Sequence, residues 1–167
     1  MKTLIAIFSM VIFANSCFAD SASDAIDALL KMQINVKTGI SYKDYAPELS
    51  KLKFAVKKYI LSKNTNKQLT ECLSESTRLF DDALTIWNLK FTNDSYYGFI
   101  QTNNDYFPGS KALSQAYLRD YPQDAKSVDD GGVMNKEKDR IYIDAAVSKT
   151  WERASEKADK CFGLASK

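Results

Sequence analysis

The chain has 167 residues, 23 Lys and Arg against 21 Asp and Glu, a formal charge of +2 and no histidine. Without histidine there is no Ser-His-Asp or Cys-His machinery, no ordinary zinc site and no Glu-x-x-His di-iron pair. With histidine absent, paired-carboxylate chemistry of the glycosidase kind survives as a possibility, and the near balance of charge argues against the concentrated basic footprint of a nucleic-acid binder.

Lys2 precedes an apolar run from Leu4 to Phe13 and then Ala14-Asn15-Ser16-Cys17-Phe18-Ala19, the three parts of a secretory signal peptide. The run is too short to span a bilayer comfortably, so no transmembrane anchor is expected. Cleavage after Ala19 makes residues 1–19 the signal peptide and 20–167 a helical domain, periplasmic or secreted. The alternative is a lipoprotein anchored through Cys17, because Ala14-Asn15-Ser16-Cys17 has the outline of a lipobox with Ala14 where leucine usually stands. Export leaves Cys72 and Cys161 as an even pair in an oxidising compartment, which predicts a disulfide. Closing so long a loop is worth about 4 to 5 kcal/mol in the chain-entropy model. Two separate buried thiols are the other reading.

Asp20, Ser21 and Ser23 offer N-caps, and Ala25, Ile26, Leu29, Met32 and Val36 carry a helical period to about residue 36. Gly39 followed by Ser41 then reads as one helix stopping and another starting, with Asp44 as a weak capping-box partner. Tyr45, Leu49, Leu52, Val56 and Ile60 form one apolar stripe. Pro47 suits a first turn better than an interior, so regular helix is expected from near Ala46, with residues 41–45 as a preceding turn. Lys51, Lys53, Lys57, Lys58 and Lys63 make its solvent side basic, a solvated face or, alternatively, one for an anionic lipid or acidic protein. Asn64-Thr65-Asn66 breaks the pattern. A third helix is predicted from Lys67 to Leu89, with Leu69, Cys72, Leu73, Ser76, Phe80, Ala83 and Trp87 on its inner side.

Residues 91–109 mix aromatics with amides and carboxylates, as a surface does that stacks on sugars or grips a peptide. The candidate binding residues are Tyr96, Tyr97, Phe99, Tyr106 and Phe107; a lid with these rings packed inward is the competing reading. Residues 96–101 also have a strand-like look, with no identifiable partner. Asn93-Asp94-Ser95 is a glycosylation sequon, relevant only in a eukaryotic source. Ser110 is expected to cap a short helix to Asp120, stopped by Pro122. Asp129-Asp130-Gly131-Gly132 lacks the spaced oxygen ligands of an EF-hand loop and reads as a turn. A last helix is predicted from Asn135 to Phe162. If it runs antiparallel to the third and Cys72 bonds Cys161, Trp87 and Trp151 lie roughly 22 and 15 Å from the bridge, in one half of the bundle. The acids Glu152, Glu156 and Asp159 alternate with Arg153, Lys157 and Lys160, the pattern of a solvated helix face rather than of catalysis. No metal or cofactor site is indicated.

Gly39-Ile40-Ser41-Tyr42-Lys43-Asp44-Tyr45, with Ala83-Leu84-x-x-Trp87 further on, resembles a loosely defined group of small exported helical bacterial proteins with a Gly-hydrophobic-Ser-Tyr-x-x-Tyr signature. No activity attaches to that group, so the resemblance implies bacterial export and helices, and no catalytic residue is carried over. The expectation is a mainly α, single-domain bundle of four or five helices with one disulfide. Its expected function is to bind or occlude a protein partner, as immunity proteins do. The alternatives are an envelope glycan or small-molecule binder using the 91–109 segment, and a sugar-acting enzyme with two acids across a cleft.

Overall fold

Gly39 and Ser41 do stop one helix and start the next. In a computed structural model of the chain the described residues are 21–63, 65–91, 98–102, 108–135 and 140–166. Residues 1–19, expected to be a signal peptide, lie outside them, as do the sequon and the candidates Tyr96, Tyr97, Tyr106 and Phe107. Helix α1 covers 21–38, and Gly39 follows with φ +89°, a conformation that only a residue without Cβ adopts freely. Helix α2 runs Tyr42–Ile60. Ser41 Oγ accepts from the Asp44 N–H at 3.2 Å and donates to the Asp44 carboxylate at 2.5 Å. The regular helix therefore begins before Ala46, and Pro47 sits inside it, on its exposed side. The cap and the burial of Tyr45, which must be helical to join the Leu49 and Leu52 stripe, outweigh the one backbone bond proline removes. Ser41→Ala is expected to cost about 1 kcal/mol in urea unfolding, the ordinary worth of such a cap.

The stripe on α2 ends on Tyr59, which is buried, rather than on Ile60, which is 40% exposed. The Tyr59 hydroxyl accepts the Asn66 N–H at 2.9 Å, tying the turn to the next helix. Asn66 Oδ1 in turn accepts from the N–H groups of Gln68 and Leu69, capping α3, Lys67–Asn88. The other α-helices are α4, Pro108–Asp120, and α5, Ile143–Ala165. Five α-helices among the described residues and a Cys72–Cys161 disulfide make the chain mainly α, as expected. No helix among these residues is long and apolar enough to cross a membrane.

The chain divides into two compact units. The first holds α1, α2, α3 as far as Arg78 and α5 from Ala154 onward. In it α1 and α2 are antiparallel, since Lys58 pairs with Asp24 at 2.7 Å and Lys31 with Glu48 at 3.0 Å. The Lys51 and Lys31 ammonium groups hold the Glu48 carboxyl below the usual carboxylate range. The α3 and α5 segments are antiparallel too: Cys72 is bonded to Cys161 with Cα atoms 5.6 Å apart, and Ser76 Oγ donates to the Ala154 carbonyl at 3.0 Å. Buried Gln33 on α1 donates to the Ser155 carbonyl and to Asp159 Oδ1, so its amide is satisfied within the core. Leu29, Met32, Tyr45, Leu49, Leu52, Leu73 and Cys161 are fully buried around it.

The second unit, Leu79–Arg153, packs the end of α3, α4 and the start of α5 about a two-stranded antiparallel ribbon. Strand β1, Phe99–Gln101, pairs with β2, Arg140–Tyr142, placing Phe99 opposite Tyr142 and Ile100 opposite Ile141. The strand-like stretch thus has a partner, and it comes from residues expected to be helical. Arg140-Ile141-Tyr142-Ile143 alternates with period two; Ile141 and Ile143 are both fully buried, so α5 starts only at Ile143. Helix α4 begins at Pro108 and contains Ser110, because proline's fixed φ suits a first helical position. Trp87 and Trp151 meet edge to face, ring centres 5.1 Å apart, as the antiparallel reading requires.

Candidate functional site

The ribbon turns one face inward, Ile100 and Ile141 joining Leu89, Tyr117, Val133 and Val147 in the core of this unit. Strand alternation puts Phe99, Arg140 and Tyr142 on the other face. There the Phe99 and Tyr142 rings lie 4.7 Å apart, and the Arg140 guanidinium stands 5.8 Å from the Phe99 ring centre. Phe99 is half-buried, and Tyr142 is 37% exposed.

The far edge of β2 is also covered. Tyr142 N–H donates to the Val133 carbonyl at 2.8 Å, Asn135 N–H to the Arg140 carbonyl at 3.0 Å, and Met134 bridges both Ile141 and Ser127. Between this edge and the 3₁₀ turn Val128–Asp130 opens a cavity of about 350 Å³. Ser127, Val128, Asp129, Met134, Asn135, Arg140 and Tyr142 line it. Its walls thus carry a carboxylate, an amide, a guanidinium, a hydroxyl and an aromatic ring within one small space. That set can hold a small polar molecule by several directed hydrogen bonds at once while a ring covers its less polar face.

The loop that forms the cavity is anchored from below by Asp124, which is 2% exposed. Its carboxylate accepts the Tyr117 hydroxyl at 2.5 Å and pairs with Arg153 Nη2. Arg153 also stacks over the Tyr121 ring, 4.3 Å from its centre. Burial, then the bond to Asp124, push the Tyr117 phenol well above its usual range. Burial alone would lower the Arg153 guanidinium, but Asp124 and Tyr117 beside it more than offset that and raise it. The Asp124 carbonyl accepts the Val133 N–H at 3.0 Å, next to cavity-lining Met134. At Gly132 a Cβ would stand 2.1 Å from the Lys126 carbonyl oxygen, so only glycine lets the loop close this tightly.

Of the five candidate binding residues, Phe99 is therefore the one within the described residues, and it stands beside Tyr142, Arg140 and the cavity they border. Cys72 and Cys161 lie in the first unit, joined to each other. Of the acids on the α5 face, Glu152 pairs with Lys149 at 3.1 Å and Asp159 accepts from Gln33 at 2.8 Å, while on α3 Glu75 pairs with Lys157 and Glu71 with Lys67 at 3.9 Å. Among the described residues no three His, Cys, Asp or Glu side chains gather to hold a metal ion. Sequence reasoning missed Tyr142, Arg140 and Asn135 by placing them in a helix; at Asp129 the expected turn is present, and it carries the residue to the cavity. The alternation at residues 140–143 was the available signal. No protein-family profile, curated protein or solved structure matches the chain.

Proposed function

We propose that the chain is an exported binding protein whose site is the cavity beside β2, and that its ligand is a saccharide unit of an envelope glycan. The supporting observation is the lining of that cavity. A tyrosine ring offers a surface for the C–H face of a sugar, while Asp129, Asn135, Ser127 and Arg140 supply acceptors and donors for its hydroxyls. A volume of about 350 Å³ lies at the small end of the range for ligand sites, the size of one or two sugar rings.

A second reading is supported by the exposed apolar side chains of the same unit, Phe91 at 64% and Val128 at 43%. These suit a protein partner that the chain binds or occludes. Titration calorimetry with soluble peptidoglycan fragments separates the two readings. Tyr142→Ala is expected to weaken binding roughly tenfold, the usual worth of an aromatic contact, with far-UV circular dichroism unchanged. No saccharide binding by wild type overturns the glycan reading. Capture of a protein partner that Phe91→Ala releases then establishes the second.

A further inference from the structure

Helix α2 buries Tyr45, Leu49, Leu52, Val56 and Tyr59 on one side. On the other, Phe54 is 73% exposed and Leu61, at its C-cap, 74%. Seven residues apart, they project from the same side of the helix about 10 Å from one another along its axis. Lys57 and Lys58 stand between them, one to each flank at 100° per residue, and Lys51 and Lys53 continue the two rows. From Lys51 to Lys63 every charged residue is a lysine. The ion pairs that Lys51 and Lys58 make, with Glu48 and Asp24, leave their side chains 64% and 53% exposed, so the rows still face water.

We propose that this face of α2 is a peripheral membrane-docking surface, with Phe54 and Leu61 entering the headgroup boundary of an anionic bilayer between two rows of lysines. Solubility alone accounts for the lysines but not for two large apolar side chains held out in water between them. The occupant is indicated by shape and charge together. The two side chains stand proud on a convex helix, so a protein would need a matching pocket for each, whereas a fluid interface accepts them without one. A stretch whose charged residues from Lys51 to Lys63 are all lysines, paired with apolar anchors, complements anionic headgroups at any rotation about the membrane normal. Two anchors make the binding reversible. The inference is independent of the cavity in the other unit.

The test is co-sedimentation of the oxidised full chain with phosphatidylcholine vesicles and with vesicles containing roughly one-third phosphatidylglycerol. The ratio of the two partition coefficients is the readout, so any contribution of the apolar run at residues 4–13 common to both cancels. Wild type is expected to prefer anionic vesicles at least about tenfold, the preference fading with salt. Phe54→Ser with Leu61→Ser is expected to lower partition onto anionic vesicles about tenfold or more, and Lys53→Glu with Lys57→Glu to abolish the preference. All four positions are exposed, and circular dichroism checks that each variant is folded. Equal partition of wild type onto both vesicles overturns the proposal. So does a preference that survives both double substitutions, or a soluble acidic protein held by this face while vesicles are ignored.

Discussion

Removing the Cys72–Cys161 bridge is expected to lower stability by about 4 to 5 kcal/mol, a large part of the 5 to 15 kcal/mol that holds an ordinary domain folded. The bond spans 89 positions, so in the unfolded chain it forbids the many conformations in which the two ends are far apart. In the folded chain it asks little, because Ser76 and Gln33 already hold α5 against α3 and α1 on the turns beside it. Both cysteines are buried, at 5% and 0% exposure, so replacement by Ala adds a small packing loss to the entropic one. Urea unfolding of Cys72→Ala with Cys161→Ala is expected to show a much lower midpoint and a steeper slope than the oxidised protein, since the unbridged unfolded chain exposes more surface. Adding a reductant should carry wild type to nearly the same curve, while the double variant ignores it. Coincident curves for oxidised wild type and the variant would show that the bridge contributes nothing.

The features legible in the sequence were those written in a period or a local rule. The α2 stripe was visible because Tyr45, Leu49, Leu52 and Val56 repeat at helical spacing, and the helix junction because Gly39 and Ser41 have conformational roles of their own. Pro47 misled as to where α2 starts, because a local penalty was weighed without the tertiary gain of burying Tyr45. The β ribbon was less legible. Its period-two signal lasts only from Arg140 to Ile143 and runs straight into α5, whose Val147 and Trp151 extend a helical pattern backwards over it. Its partner, Phe99–Gln101, lies about 40 positions away, a distance no local pattern bridges. The cavity was illegible for the same reason, being made where residues 127–129, 134–135 and 140–142 converge.

Asp124 is the residue whose loss should most damage the second unit: Asp124→Ala is expected to cost about 3 to 5 kcal/mol, although nothing in its sequence context marks it out. The substitution strands two groups at once. Arg153, with 20% side-chain exposure, keeps its charge because no accessible pH deprotonates it, and the Tyr117 hydroxyl loses its acceptor in the core. Arg153→Met strands the carboxylate instead, but Asp124 then keeps the Tyr117 hydroxyl bond, so a smaller loss is expected. Removing both partners leaves no unpaired charge, so the double variant should cost less than the two single losses added together, by about 1 to 3 kcal/mol. Additive losses in chemical unfolding would mean that the pair is not coupled. The network also predicts an alkaline limb. The folded Tyr117 phenol loses its proton above the unfolded value near 10.0, so its contribution is whole below about pH 10 and is lost as pH climbs toward the folded value. Tyr117→Phe is expected to cost about 1 kcal/mol at neutral pH and to remove that part of the alkaline decline, because phenylalanine has no proton to lose. The Asp124 backbone carbonyl also accepts from Val133 beside the cavity, so once the side-chain network no longer holds Asp124 in place the same variants should loosen the loop that carries Asp129 and Asn135. Hydrogen exchange at the Val133 and Met134 amides reads that loosening directly: acceleration in Asp124→Ala well before global unfolding is the expected result, and unchanged protection there would leave Asp124 with a role in stability alone.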